Sequence, residues 1–304
     1  MSESPSHLPN LTVQQLEYLV AAVDHRTHAR AAGSLGVSPS ALSQGLAELA
    51  KRLGVELFDR TGRTMEVRAQ AEPIVDHARL VLAHTADLAR YVADAKQGRA
   101  GLVRLGMIDV AAVHHFASVL HDIRSTMPDI ALHLTVAPSS ELIAGVRSGS
   151  LDLIVGVRPN DDTDLDVVDL VAEPLHVYVA SRPVGTFTAT PDPAEPETWG
   201  PWVGFPTSSQ TRQIIASSLE ALGADYEVVA ESHQPDVLKE MTTLGLGWVV
   251  LPPVQAEQEP RRLRRVTDVP LAYRTLSAVQ RARSSPNESI GTVREQLILA
   301  SDID

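Results

Sequence analysis

Residues 29–63, ARAAGSLGVSPSALSQGLAELAKRLGVELFDRTGR, read as two helices joined by a tight turn and followed by a basic hairpin. Thr27 can cap a first helix that runs through Arg30-Ala31-Ala32 to Leu35, and Gly36 follows it where a helix C-terminus favours glycine. Ser38 can cap a second helix with Pro39 in its first turn, where the missing N–H costs nothing. Ala41, Leu42, Leu46, Leu49 and Leu53 recur at helical spacing and give that helix an apolar face, and Gly54 ends it. Opposite that face, near its start, lie Ser40, Ser43 and Gln44, short polar side chains that can reach base edges or phosphates. Leu57 and Phe58 return to the core. Asp59-Arg60-Thr61-Gly62-Arg63-Thr64 then forms a turn carrying two guanidiniums, suited to phosphate or minor-groove contact. An ordinary helical hairpin has the same helix spacing. The basic turn that follows separates the two readings and points to a helix placed in the major groove of DNA.

Charge alone points elsewhere. The chain of 304 residues has a formal net charge of −12. Residues 1–70 carry seven Lys/Arg and seven Asp/Glu, so the acidity belongs to the rest, with 19 basic and 31 acidic groups. A neutral DNA-reading unit predicts specific binding aided by a partner rather than non-specific coating of DNA. The chain has no cysteine, which excludes disulfides, thiolate zinc sites and thiol catalysis. MSESPSHLPN reads as a polar leader rather than a signal peptide, no apolar run is long enough to span a membrane, and a cytoplasmic location is the expectation.

Residues 71–98, AEPIVDHARLVLAHTADLARYVADAKQG, predict one long helix after Pro73. Ile74, Ala78, Val81, Thr85, Leu88, Val92 and Ala95 alternate spacings of four and three, a heptad seam that predicts a dimerising coiled coil. A single helix packed on its own domain has a similar pattern. Residues 96–101, KQGRAG, read as a hinge.

The N-terminal segments LTVQQLEYLVAAV, RAAGSLGVS, SPSALSQ and LGVELFDRTGR resemble, without a gap, the DNA-binding domain of LysR-type transcriptional regulators. The resemblance implies a winged helix-turn-helix over 1–66, a linker or dimerisation helix over 67–97 and an effector-binding domain over 98–304. It implies DNA contacts from Arg30, Ser38, Pro39, Ser40, Ser43, Gln44, Arg60 and Arg63, with Arg68 added as a phosphate contact. It also implies homodimers, commonly paired into tetramers, that act on an operator in double-stranded DNA and, for an activator, on RNA polymerase. The chain departs from the family pattern at Pro39-Ser40, where Gln-Pro is usual, at Leu49-Ala50 for Leu-Glu, and at Val67-Arg68-Ala69-Gln70-Ala71 for Leu-Thr-x-x-Gly. The operator sequence is therefore not carried over.

From Leu102 the pattern becomes alternating strand and helix: strands at 102–108, 130–137 and 152–157, helices at 112–125 and 139–148. That alternation predicts a parallel, helix-covered sheet. The acidic run PNDDTDLD, 159–166, reads as a solvated crossover to a second half. That half has strands in EPLHVYVAS, PWVGF, YEVVAES and WVVLP, helices at 210–222 and 235–244, and a Pro-rich surface loop at 189–201. The chain then returns through TLSAVQRA to a closing helix at 289–300. Two α/β lobes, one at about 101–158 and 270–304 and the other at about 163–267, resemble periplasmic binding proteins and the same regulators' effector domain. GSLDLIVGV and LGLGWVVLP fit that domain's recurrent motifs.

Ligands of such sheets sit outside the carboxyl ends of the strands. The expected effector contacts are Asp109, Ser139, Ser140, Thr207, Ser208 and Ser209, of which the serines are equally good helix caps. Asp109 would repel a carboxylate unless Arg158 or Arg212 offsets it, so it predicts an effector other than a plain dicarboxylate. The adjacent His114 and His115 point apart on a helix, so no metal site is expected. No cofactor beyond a small-molecule effector is expected. No nucleophile elbow, phosphate loop or zinc-protease motif is present, and the lysines are Lys51, Lys96 and Lys239 only. An effector-independent DNA-binding regulator, a two-lobed small-molecule binding protein and an enzyme are the remaining alternatives.

Overall fold

The computed structural model describes residues 10–61, 64–96, 101–182, 194–282 and 287–301. The polar leader before residue 10, Gly62 and Arg63 of the wing tip, hinge residues 97–100 and the first part of the Pro-rich loop lie outside them, as do the side chains of Arg60 and Ala95. The chain divides near residue 98 into two compact units.

In the first unit, α1 (Val13–His25) starts at a reciprocal capping box between Thr12 and Gln15 and ends at Arg26 in the left-handed conformation. Thr27 caps α2 (His28–Ser34), and Ser38 caps α3 (Pro39–Leu53). Gly54, at φ 69°, closes α3 where a side chain would be strained. Leu42, Leu46 and Leu49 of α3 are buried against Leu16, Leu19 and Ala22 of α1 and the Ala31-Ala32 pair of α2. The crossing of α1 and α3 is tight: a Cβ on Gly45 would lie 2.3 Å from Cδ2 of Tyr18. The hairpin of β1 (Phe58–Thr61) and β2 (Thr64–Val67) joins this core through Leu57 and Met65, and the Met65 N–H donates to the Arg26 carbonyl at 2.9 Å.

The long helix α4 (Glu72–Lys96) follows. Its first turns belong to the same core: Ala78 is buried, and Ile74 packs against the cluster from its edge. The heptad seam therefore divides. Ile74 and Ala78 are used inside their own unit, as the single-helix reading has it, whereas Val81, Leu88 and Val92 are exposed, with Tyr91 beside them at 72% exposure.

The second unit is built on a sheet ordered β10-β6-β11-β5-β3-β4, with β9 also pairing β6. In lobe I, β3 (Leu102–Met107), β4 (Ala131–Val136) and β5 (Leu153–Val157) run parallel. They alternate with a π-helical turn at Ala111–His115, α5 (Ala117–Thr126) and α6 (Ser139–Ser148). The sheet is not parallel throughout. The returning strand β11 (Ala272–Arg281) runs antiparallel both to β5 and to β6 (Leu165–Ala180).

β6 also corrects the expected crossover. The acidic run 159–166 is a loop with exposed Asn160, Asp161 and Thr163 as far as Asp164, but its last two residues, Leu165 and Asp166, already pair with β11. Carboxylates along β6 are answered by their neighbours: Ser277 Oγ of β11 donates to Asp169 at 2.8 Å, and Nη2 of Arg294, on the closing helix, donates to Asp166 at 2.9 Å. The connection between the lobes is thus the 16-residue strand itself, paired with β11 in lobe I and with β9 (Val249–Leu251) and β10 (Leu263–Arg265) in lobe II.

Lobe II adds β7 (Trp202–Gly204) parallel to β8 (Val228–Glu231), with α7 (Gln210–Ala221), α8 (Pro235–Thr243) and the short α9 (Pro253–Ala256) around them. Its core holds Trp199, Trp202 and Trp248, the three tryptophans of the chain. Lobe I closes with α10 (Glu288–Ser301), which buries Val293 and Leu297.

Candidate DNA-reading face and inter-lobe cleft

Burying Leu42, Leu46 and Leu49 forces the opposite face of α3 outward, and Pro39, Ser40, Ser43 and Gln44 are exposed there. Arg30 on α2 is exposed as well. Ser38 is exposed but occupied: its Oγ accepts the Ala41 N–H at 3.2 Å and shares a 2.9 Å hydrogen bond with Ser40 Oγ. The start of α3 is therefore a hydroxyl-lined helix N-terminus, whose free N–H groups and positive dipole end suit a phosphate. Arg60 lies on β1, with its side chain outside the described set, and Arg63 lies outside the described residues. Arg68 is turned inward. Its Nε donates to Asp59 at 2.8 Å and its guanidinium also pairs with Glu56, so two carboxylates already hold the cation that was expected to meet phosphate. It ties the base of the wing to the chain leaving it.

The second candidate site is a cleft of about 440 Å³ between the lobes. The carboxyl ends of β3 and β4 and the first turns of α6 and α7 surround it, because open sheets place helix N-termini outside those strand ends. Asp109, Ser139, Ser140 and Ser209 line it; Thr207 and Ser208 do not. Ser139 Oγ accepts the Val157 N–H at 3.1 Å, which pins α6 to the end of β5. Ser209 Oγ caps α7 through the Arg212 N–H.

Sequence reasoning missed the charged centre of the cleft. The offset for Asp109 is neither of the arginines expected. Arg158 pairs at the surface with Asp162 and Asp169, and Arg212 with Glu231, the Phe205 carbonyl and the face of Tyr226. The cation is Arg274 on β11, 5% exposed. Its Nε donates to Glu173 Oε2 at 2.6 Å and its Nη1 to Thr211 Oγ1 of α7 at 3.0 Å. Glu173 is the partner of Arg274 across the β6–β11 ladder and also accepts from His115 Nε2 at 2.8 Å. Burial alone would raise the Glu173 carboxyl, but the Arg274 charge and the hydrogen bonds from His115 and Arg274 hold it below the ordinary carboxylate value.

Asp109 goes the other way. Burial raises it, against the Val110 N–H, the Arg274 charge and a 2.9 Å hydrogen bond from Gln255 Nε2. That bond crosses between the lobes, as does the contact of His114 with Gln258 at 3.2 Å. The two histidines thus face different partners. Among the described residues no cluster of His, Asp and Glu is arranged to hold a metal.

Among the described residues no helix is long and apolar enough to cross a membrane. Residues 13–72 match the bacterial regulatory helix-turn-helix family of the lysR type, and residues 96–300 match the LysR substrate binding domain. The chain is 32% identical over 170 residues to the HTH-type transcriptional regulator EstR of Acinetobacter baylyi, an alignment that spans 56% of each protein. It is 24% identical to the uncharacterized HTH-type transcriptional regulator YfeR of Shigella flexneri, over 95% of this chain and 92% of that one. The crystal structure of full-length CbnR complexed with its target DNA has the same fold, with a TM-score of 0.52 and 18% identity, covering 96% of this chain and all of that one. With both family matches in order along the sequence, the chain belongs to the LysR family of DNA-binding transcriptional regulators.

Proposed function

We propose that the protein reads a specific operator through the N-terminal face of α3 and its wing, and that a small-molecule effector in the inter-lobe cleft controls that binding. The single observation that carries the reading is the exposed row Pro39, Ser40, Ser43 and Gln44 on a helix whose other face is fully used in the core. Gln44 and Ser43 are the base readers in this account. Arg30, Arg60 and Arg63 meet phosphates, Ser38 sets the helix start, and Arg68 braces the wing.

One such unit reads one half-site, so operator binding calls for at least a dimer. Val81, Leu88, Tyr91 and Val92 of α4, with Thr85 between them, supply an apolar stripe for a second copy of the same helix. Pairing of dimers into a tetramer is the family's usual assembly and is the one adopted here. Effector binding favours one arrangement of the two lobes and so changes the spacing of the DNA-binding units, which requires unequal effector affinity for the two states. The protein works where its operator lies, in the cytoplasm, and as an activator it would engage RNA polymerase. No catalytic role is assigned: Lys239, the one lysine of the effector unit, lies 3.4 Å from Asp236 on the same helix. With no cysteine, the chain has no thiol to match the position named in the C206 mutant of OxyR from Corynebacterium glutamicum, a protein of the same fold.

In-vitro selection of binding sites with the purified protein tests the reading. The expected product is a two-fold symmetric site with half-sites a whole number of helical turns apart. Gln44→Ala should relax preference at one position, at about 1–3 kcal/mol of discrimination. Leu88→Glu with Val92→Glu should dissociate the dimer in sedimentation and abolish tight operator binding. Selection that returns no consensus would overturn the proposal.

A further inference from the structure

We propose that the inter-lobe cleft takes a small zwitterion with an apolar body, its ammonium group held by Asp109 and its carboxylate by the first turns of α6 and α7. This rests on the reading of the cleft as the effector site and names the chemistry it selects.

The argument is a balance of charge and of hydrogen-bonding groups. Three carboxylates stand at or directly behind the cleft: Asp109, Glu141 and, through Arg274, Glu173. One guanidinium stands against them, and Glu173 neutralises it across the ladder. A dicarboxylate would therefore enter a site of its own sign whose one guanidinium is already paired with Glu173, and desolvating both its charges there is unfavourable. The acceptors are also in excess. Gln210 lines the cleft with its Oε1 buried and, among the described residues, without a hydrogen-bond partner. Asp109 receives one side-chain hydrogen bond, from Gln255, and a carboxylate accepts several. A ligand that brings N–H groups satisfies these acceptors.

An ammonium also answers the strained member of the site. Asp109 is disfavoured in its charged form by burial, and a cation beside it restores that form. The carboxylate end has its own place. α6 and α7 both begin at the cleft with serines, Ser139-Ser140 and Ser209, so hydroxyls and first-turn N–H groups converge there. Arg274 uses Nε and Nη2 on Glu173 and Nη1 on Thr211, which leaves the second N–H of each terminal nitrogen for a carboxylate oxygen. Ile108, Val136, Ala137, Val157 and Phe205 form the apolar wall for the rest of the molecule. Leucine and phenylalanine have this chemistry.

The test is calorimetric titration of the full-length protein with matched probes: phenylalanine, phenethylamine, 3-phenylpropionate, leucine, 4-methylpentanoate and succinate. The expected result is that each amino acid binds at least about tenfold tighter than its own carboxylate, and phenylalanine as much tighter than phenethylamine, the scale of one charge-assisted hydrogen bond, and that succinate does not bind. Asp109→Asn should bring phenylalanine and 3-phenylpropionate to within about twofold of each other. Equal or tighter binding of the carboxylates, a persisting gap in Asp109→Asn, or no binding by any probe would overturn the zwitterion. Ser140→Trp, at an exposed position of the rim and with its fold checked by circular dichroism, separates the two failures. It should block every probe that binds, and a probe that still binds lies outside the cleft, which sinks the effector-site reading itself.

Discussion

In the winged unit the candidate DNA contacts Ser40, Ser43 and Gln44 fall within two turns of one helix, whereas the cleft draws Asp109, Thr211 and Arg274 from three elements spread along the second unit. The first site is a surface left over after an apolar face is buried, and its polar groups stay in water until DNA arrives. The second is assembled around a buried ion pair that exists only when β6 and β11 are paired. A contiguous exposed site can change without much effect on folding. A site whose centre is a buried pair cannot, because losing either partner leaves the other buried without its main counter-charge.

The tryptophans make this difference measurable, since Trp199, Trp202 and Trp248 all lie in lobe II and the winged unit has none. Fluorescence-detected unfolding reports the effector unit, and ellipticity at 222 nm reports both. The largest effect is expected for Glu173→Ala, which leaves Arg274 buried without its carboxylate and removes the acceptor of His115. The cost should be about 3–5 kcal/mol. The fluorescence transition should fall sharply, and the part of the ellipticity change that belongs to the winged unit should stay in place. A loss below about 1 kcal/mol would mean that water reaches Arg274 and that the centre of the cleft is not dry.

Next comes Gly45→Ala. The new methyl would meet the Tyr18 ring at 2.3 and 2.6 Å, and that ring is itself buried between α1 and α3. Overpacking of this kind costs about 1–3 kcal/mol. Here ellipticity should move and fluorescence should not, the reverse of Glu173→Ala. Operator affinity should fall too, since α3 must shift away from α1. Ser38→Ala is milder, at about 1 kcal/mol for a lost N-cap. It should shift the same ellipticity transition by less and weaken operator binding through the fraying of the first turn of α3.

The same contrast explains what the sequence reveals. Thr27, Ser38, Pro39 and Gly54 act where they stand, within a few residues, so local chemistry places α2 and α3 correctly. The cleft's strand ends are legible too, since Asp109, Ser139 and Ser209 each end a strand–loop segment. Arg274 and Glu173 are not, because they lie 101 residues apart and become neighbours only through the β6–β11 register. One signal is available in retrospect. TLSAVQR has the composition of a buried central strand and begins directly after an arginine, while EPLHVYVA places an acid at the same point of another. Thr207 and Ser208 resemble Ser209 in type, yet only Ser209 is at the helix start that faces the cleft. The ion pairs of Arg68 are hidden for a related reason: its partners Glu56 and Asp59 meet it only when the hairpin closes.

The smallest effect is a pH dependence that separates the buried Glu173 from the half-buried Asp109. Glu173 has its folded pKa lowered, so its ionised form adds stability above the ordinary glutamate value of 4.5, and that contribution is lost as the pH falls through the lower folded value. Asp109 has its folded pKa raised above 3.8, so its ionised form subtracts stability at neutral pH. That penalty fades as the pH falls through the raised value and is gone below 3.8. Asp109→Asn keeps an acceptor for Gln255 but removes the charge. At neutral pH it should therefore unfold slightly above the wild type in the fluorescence assay, by no more than a few degrees, and the gap should close toward pH 4. A gap that instead widened on acidification would mean that Asp109 is stabilised as a charged group in the unliganded protein. Its need for a cation from the ligand would then disappear, and with it the reason for the cleft to prefer an ammonium group over a neutral one.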